Sequence, residues 1–172
     1  ARTARPPESS RPPPRLRRAY YECRYGQLHL HNAIPSGGGF DELTAVLCVH
    51  GSNETARAFV PVLGALGLER SVYAPDLPGY GESDPPVEQT GATGRSTDRV
   101  EAGVNALADF LDTMRIRTVD LVARGDGAEI AKRLAALRGA GVRRVVALTA
   151  ADEASADLPQ KLLAALGGTQ PA

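Results

Sequence analysis

From residue 44 to residue 166 the sequence alternates short apolar runs with stretches of helical period, and this alternation limits the fold more than any other feature. Thr44 to His50 is almost continuously apolar, as expected of a strand buried on both faces. Residues 56–67 place Phe59, Val62, Leu63 and Leu66 on one helical face, with Pro61 either starting or kinking the helix. Ser71 to Pro75 reads as another short strand. Asp98 to Glu101 has capping-box spacing, and Val100, Val104, Leu107, Leu111 and Met114 then share a face. Thr118 to Ala123 is a strand, Ala128 to Leu137 a helix, Val142 to Thr149 a strand, and Leu158 to Leu166 a last helix. Strands separated by helices need crossover connections, which give a mostly parallel sheet with helices on both faces.

Two further strand-like runs precede this series. Ala19 to Tyr25 and Leu28 to Ile34 are rich in aromatic and branched residues and partly alternate, with Gly26 and Gln27 between them as a hairpin turn. The fold class is therefore α/β, a three-layer α/β/α arrangement. Its mostly parallel six-stranded sheet starts with an N-terminal antiparallel hairpin. One domain spans residues 19–172. Residues 1–18 hold six Arg, five Pro and one Glu, with almost no large apolar side chains, and read as a disordered tail. A partner-binding role for that tail is an alternative. It has no apolar core of the kind a secretory signal needs.

Composition excludes several classes. The net charge is zero, and outside the basic tail the chain is mildly acidic, so the folded part has no electrostatic footprint for nucleic acid. The longest apolar runs, such as residues 44–49 and 145–151, fall far short of the roughly 20 residues that cross a bilayer. The chain is read as soluble and cytoplasmic, with no membrane partner. Cys23 and Cys48 lie in strand-like runs and read as small buried hydrophobes. His29 and His31 share one face of a strand but have no further ligand nearby, so a solvent-facing structural role is expected and no metal or other cofactor.

In an open α/β sheet the working groups lie beyond the carboxyl ends of the strands. Here those ends are His50-Gly51-Ser52, the loop DLPGYGESD at 76–84, and the turn at 123–127. Together with YGQLHLH at 25–31 and DLVARGDGAEIAKRLA at 120–135, this order resembles the bacterial α/β-hydrolase superfamily over roughly residues 20–150. The resemblance implies a nucleophile elbow, in which a strand enters a small-x-nucleophile-x-small turn and a helix leaves it. Ala123 matches the first small residue, Arg124 the spacer, Gly125 the nucleophile and Gly127 the second small residue. It further implies pocket-lining positions at His50, Gly51, Arg124 and Gly127, and oxyanion-hole amides at Ser52 and Asp126. The family's sheet has about eight strands in the order 1-2-4-3-5-6-7-8, of which this chain supplies six.

The family's chemistry uses a nucleophile, a His base and an acid, with backbone N–H groups holding an oxyanion. Gly125 has no side chain with which to attack, so the nucleophile position is degenerate. No His follows His50 in the sequence. Asp152 and Glu153 follow the sixth strand and mark an alternative acid position, but read as solvated loop charges. A one-residue shift would make Asp126 the nucleophile, at the cost of placing Arg124 where the turn needs a small residue. The Asp126 carboxylate also opposes oxyanion binding unless it turns to solvent or pairs with Arg124. A nucleophile in the elbow holds a positive φ that costs a residue other than glycine of order 1–3 kcal/mol, and glycine relaxes it.

These features point to a catalytically inactive α/β-hydrolase-fold protein that binds a small hydrophobic ligand or a partner. The alternative is an active hydrolase of ester or related bonds, with Asp126 as nucleophile or with a site completed by another chain. A nucleotide binder lacks its phosphate loop: Asp76 to Gly79 reads DxxG, but no G-x-x-x-x-G-K-[ST] is present. The sixth strand is expected to leave an open edge, to be covered by residues 154–172 or by a second subunit in a homodimer.

Overall fold

The computed structural model describes residues 12–37, 43–87 and 98–167. Most of the arginine- and proline-rich start and much of the polar stretch 85–97 lie outside the described residues. The elements are β1 (Arg15–Cys23), β2 (Gly26–Ile34), β3 (Ala45–Val49), α1 (Val60–Leu66), β4 (Val72–Pro75), α2 (Arg99–Thr113), β5 (Val119–Arg124), α3 (Gly127–Arg138), β6 (Val142–Leu148), α4 (Ala150–Glu153) and α5 (Leu158–Leu166). They form one six-stranded sheet of order β1-β2-β4-β3-β5-β6. β2 runs antiparallel to both its neighbours, and the β4-β3-β5-β6 pairings are parallel. This is the expected fold, a partial α/β-hydrolase sheet.

β3 shows why its sequence carries no polar alternation. Leu47 and Val49 pack into the layer beneath α2 and α3, while Val46 and Cys48 pack into the layer beneath α1 and α5. Both faces are dry, so both sets of side chains are apolar. Burial pushes the Cys48 thiol well above its ordinary value, and Cys23 is raised by the same cause. α2 begins where the spacing placed it, because the Asp98 carboxylate accepts from the N–H groups of Val100 and Glu101. Val104, Leu107 and Leu111 are its buried stripe, with Val100 and Met114 at the margins. Pro61 lies in the first turn of α1, where its missing N–H costs nothing, so it starts the helix and does not kink it.

Two boundaries differ from expectation. β1 begins at Arg15, so Arg15 to Arg18 belong to the sheet and not to the tail, and Arg15 pairs with Ile34. Backbone pairing needs no apolar side chain, and β1 leaves its arginines in solvent. The hairpin turn is Arg24-Tyr25 and not Gly26-Gln27, since Cys23 pairs with Gly26. Tertiary contacts select this register. The Tyr25 ring is fully buried, and the Arg24 N–H and guanidinium donate to Asp109 on α2.

After β6 the chain turns back over the α1 face. The α5 side chains Leu162 and Leu166 are buried there. Three guanidinium groups hold the carboxyl end of this helix: Arg144 donates to the Ala165 carbonyl, Arg143 to Leu166 and Arg70 to Gly167. Arg143 also forks onto the fully buried Asp120 at 3.0 and 2.6 Å. Residues 154–167 thus cover a face of the sheet. Among the described residues β6 pairs only with β5, and its outer edge has no strand beside it.

Candidate functional site

The turn from β5 into α3 combines two glycines with different duties. Gly125 has φ of +51°, and a Cβ added there would meet nothing within 4 Å. Only the backbone conformation calls for glycine at this point. At Gly127 a Cβ would stand 2.5 Å from the His50 carbonyl oxygen and 2.8 Å from that of Val49. Those atoms are backbone at the end of β3 and cannot swing aside, so Gly127 is required by close packing of the turn on β3. The turn therefore faces open space at 125 and is pressed against its neighbour at 127.

Asp126 governs the electrostatics here. Its Oδ1 accepts the Ser52 N–H at 2.6 Å and its Oδ2 accepts the Ser52 hydroxyl. Arg99 Nη2 donates to Oδ2 at 3.0 Å. The Ser52 hydroxyl first, then the Ser52 N–H, Arg99 and the Asp126 N–H hold this carboxyl below its ordinary range. The two amides that the family resemblance assigns to an oxyanion therefore already face a resident anion. The carboxylate is half-exposed yet turned onto Ser52, and it does not pair with Arg124, so the amides are not freed. Arg124 instead donates to Glu54 at 3.1 Å and lies 3.3 Å from Glu153. Its length reaches past the turn to both, and Arg99 at the start of α2 is left to take Asp126.

His50 does not line a pocket with a free imidazole. It is fully buried. Its Nε2 accepts the Leu77 N–H at 2.9 Å, which places the proton on Nδ1, and Nδ1 donates to the Gly51 carbonyl at 2.8 Å. Burial lowers its pKa, so the ring is held neutral as a clamp between the loops after β3 and β4. Asp152 and Glu153 are not loose loop charges either. Asp152 closes a capping box with Thr149 at the start of α4, and Glu153 takes part in the Arg124 pair.

A second cluster joins His29 within β2 to the loop that follows β4, and it overturns the solvent-facing role expected of His29. That ring is 2% exposed. Its Nδ1 sits 2.8 Å from Asp76 Oδ2. Asp76 also accepts the N–H groups of Ala56 at 2.9 Å and Glu82 at 3.1 Å. Burial alone would raise the Asp76 pKa, but these two amides and the imidazole outweigh it and hold the carboxyl below its ordinary value. Sequence reasoning missed this pair because 47 residues separate its members. The available signal was the sheet order: placing β2 beside β4 brings His29 to the aspartate that opens the loop at 76–84. Among the described residues no three His, Cys, Asp or Glu side chains converge as a metal site.

With this geometry in hand, the similarities to known proteins are specific. The alpha/beta hydrolase family profile matches residues 46–172. A haloalkane dehalogenase from Psychrobacter cryohalolentis is 34% identical over 94 residues, covering 53% of this chain and 28% of that protein. Among solved structures, a variant of a Vigna radiata epoxide hydrolase superposes with a TM-score of 0.63 at 25% identity, over 78% of this chain and 38% of that one. An epoxide hydrolase from an endophytic Streptomyces gives a TM-score of 0.64 at 25% identity, over 78% and 37%. The chain thus spans well under half the length of each of these relatives. Among the described residues no helix is long and apolar enough to cross a membrane.

Proposed function

Because the chain belongs to the alpha/beta hydrolase family, we propose that it is a non-catalytic member, one that binds a small hydrophobic molecule at the turn around Gly125 and does not turn it over. One observation carries this reading: the position of attack has no side chain, and the neighbouring Asp126 carboxylate occupies the amides of Ser52 and of its own residue. Covalent catalysis needs an attacking group and donors aimed at the charge that develops. An acyl oxygen entering here would gain neither, and would meet a fixed negative charge. The names of the relatives, a haloalkane dehalogenase and epoxide hydrolases, suggest small organic molecules as the ligand class.

The competing reading makes Asp126 a nucleophile. Asp126 lies one residue past the positive-φ position and has right-handed helical backbone angles. Both its oxygens are committed to Ser52 and Arg99. Assays with p-nitrophenyl acetate and styrene oxide separate the two readings. We expect no turnover that scales with purified protein. Turnover that does scale, and that disappears in Asp126→Asn, would overturn the proposal.

A further inference from the structure

We propose that the cleft between β2, the start of α1 and the loop after β4 is a second binding site, which takes a small hydroxy acid: His29 Nε2 accepts the ligand's hydroxyl, and Arg57 takes its carboxylate. This inference is independent of whether the turn at Gly125 carries chemistry, since the cleft is lined by none of the residues of that turn.

The cleft encloses about 670 Å³, within the range of small-molecule sites, and its walls include His29, His31, Arg57, Val60, Pro61 and Glu82. Buried polar atoms in folded proteins are almost always hydrogen-bonded. His29 Nε2 is buried and has no hydrogen-bond partner. The other ring nitrogen is fixed by Asp76, which is itself anchored by two backbone amides, so the imidazole cannot turn to find another partner. A carboxylate at Nδ1 keeps a proton on that nitrogen and leaves the Nε2 position open. The nearest candidate, Glu82 Oε2, is 3.6 Å away, beyond hydrogen-bond reach. Glu82 already accepts the Tyr20 hydroxyl at 2.7 Å and pairs with Arg18 at 3.5 Å.

The charges select the ligand. An ammonium would suit Nε2 and Glu82, but Arg18 and Arg57 line the same cleft and repel a cation. A hydroxyl is a neutral donor of the kind that Nε2 lacks. Arg57 forms no ion pair among the described residues, and its backbone N–H donates to Thr55 Oγ1 at 3.3 Å, which fixes its origin at the rim. An unpaired guanidinium beside a pocket suits a carboxylate, which it can hold with two parallel hydrogen bonds. Val60, which is 39% exposed, and Pro61 offer an apolar wall for the body of such a molecule.

The test is a titration of the full chain, with its histidines labelled with ¹⁵N, by lactate and by 4-hydroxybenzoate. Benzoate and phenol serve as comparators that each lack one group. The expected result is saturable binding of at least one hydroxy acid that moves the His29 Nε2 resonance. For 4-hydroxybenzoate, removing either group should weaken binding about tenfold, the scale of one hydrogen bond or ion pair. Arg57→Gln, a surface change, should weaken 4-hydroxybenzoate about tenfold and leave phenol unaffected. The proposal is overturned if neither hydroxy acid binds, if His29 Nε2 does not move at saturation, or if Arg57→Gln binds 4-hydroxybenzoate as tightly as the wild type. Ester or epoxide turnover would bear on the turn at Gly125 and would leave these readouts unchanged.

Discussion

Asp76 and Asp126 stand beyond the carboxyl ends of β4 and β5, and each draws a neighbouring loop to itself through hydrogen bonds. Asp76 gathers the N–H groups of Ala56 and Glu82 and the ring of His29. Asp126 gathers the N–H and hydroxyl of Ser52 and the guanidinium of Arg99. In both, hydrogen bonding holds the carboxyl below its ordinary range. They differ in surroundings: the Asp76 side chain is 4% exposed and that of Asp126 is 48% exposed. Donors that lose a buried partner have nowhere to turn, whereas donors at the surface turn to water. At this one end of the sheet, the loop after β4 is thus fastened by a carboxylate it cannot lose, and the turn after β5 carries one that is cheap to change.

The largest effect that could break this contrast is expected at Asp76. Asp76→Ala strands two amides and an imidazole in a dry site, and urea denaturation should show a loss of about 3–5 kcal/mol. The second effect is a pH dependence. The folded pKa of Asp76 lies below its ordinary value of 3.8, so its contribution is fully present above that value and is lost as pH falls through the folded pKa. The stability gap between wild type and Asp76→Ala should be constant above about pH 5 and shrink progressively below about pH 4. A gap that widened on acidification would contradict the assignment. The smallest effect is expected at Asp126. Asp126→Ala leaves Ser52 and Arg99 open to water, and its cost should stay within about 1 kcal/mol. An equal cost for the two alanine variants would erase the distinction.

The strand ends also show how far sequence could be read. Gly125 stood out because the neighbouring residues 120–135 match a known strand-turn-helix pattern, and a missing side chain at one position of a pattern is visible without coordinates. The β3 run and the α2 stripe were equally legible, because two-sided and one-sided burial leave different periodicities. The hairpin turn was placed two residues late, since Gly26 is a local turn signal while the anchoring of Arg24 by Asp109 is not local. His29 was placed in solvent for the same kind of reason. Strand alternation assigns a side chain to a face, but it does not reveal which loop folds over that face.

The sequence by itself determined the order of the six strands and of the longer helices and the α/β architecture, because these follow from local propensity and short periodicities. Only the tertiary structure decided that His29 is buried against Asp76, that His50 is a neutral clamp, and that Asp126 turns its carboxylate onto Ser52 and not toward Arg124. Each of these is a contact between residues brought together by sheet order, across separations of 27 to 74 positions. Hydrogen bonds and charge pairs act over a few ångströms of space, and the chain specifies that proximity only once it has folded.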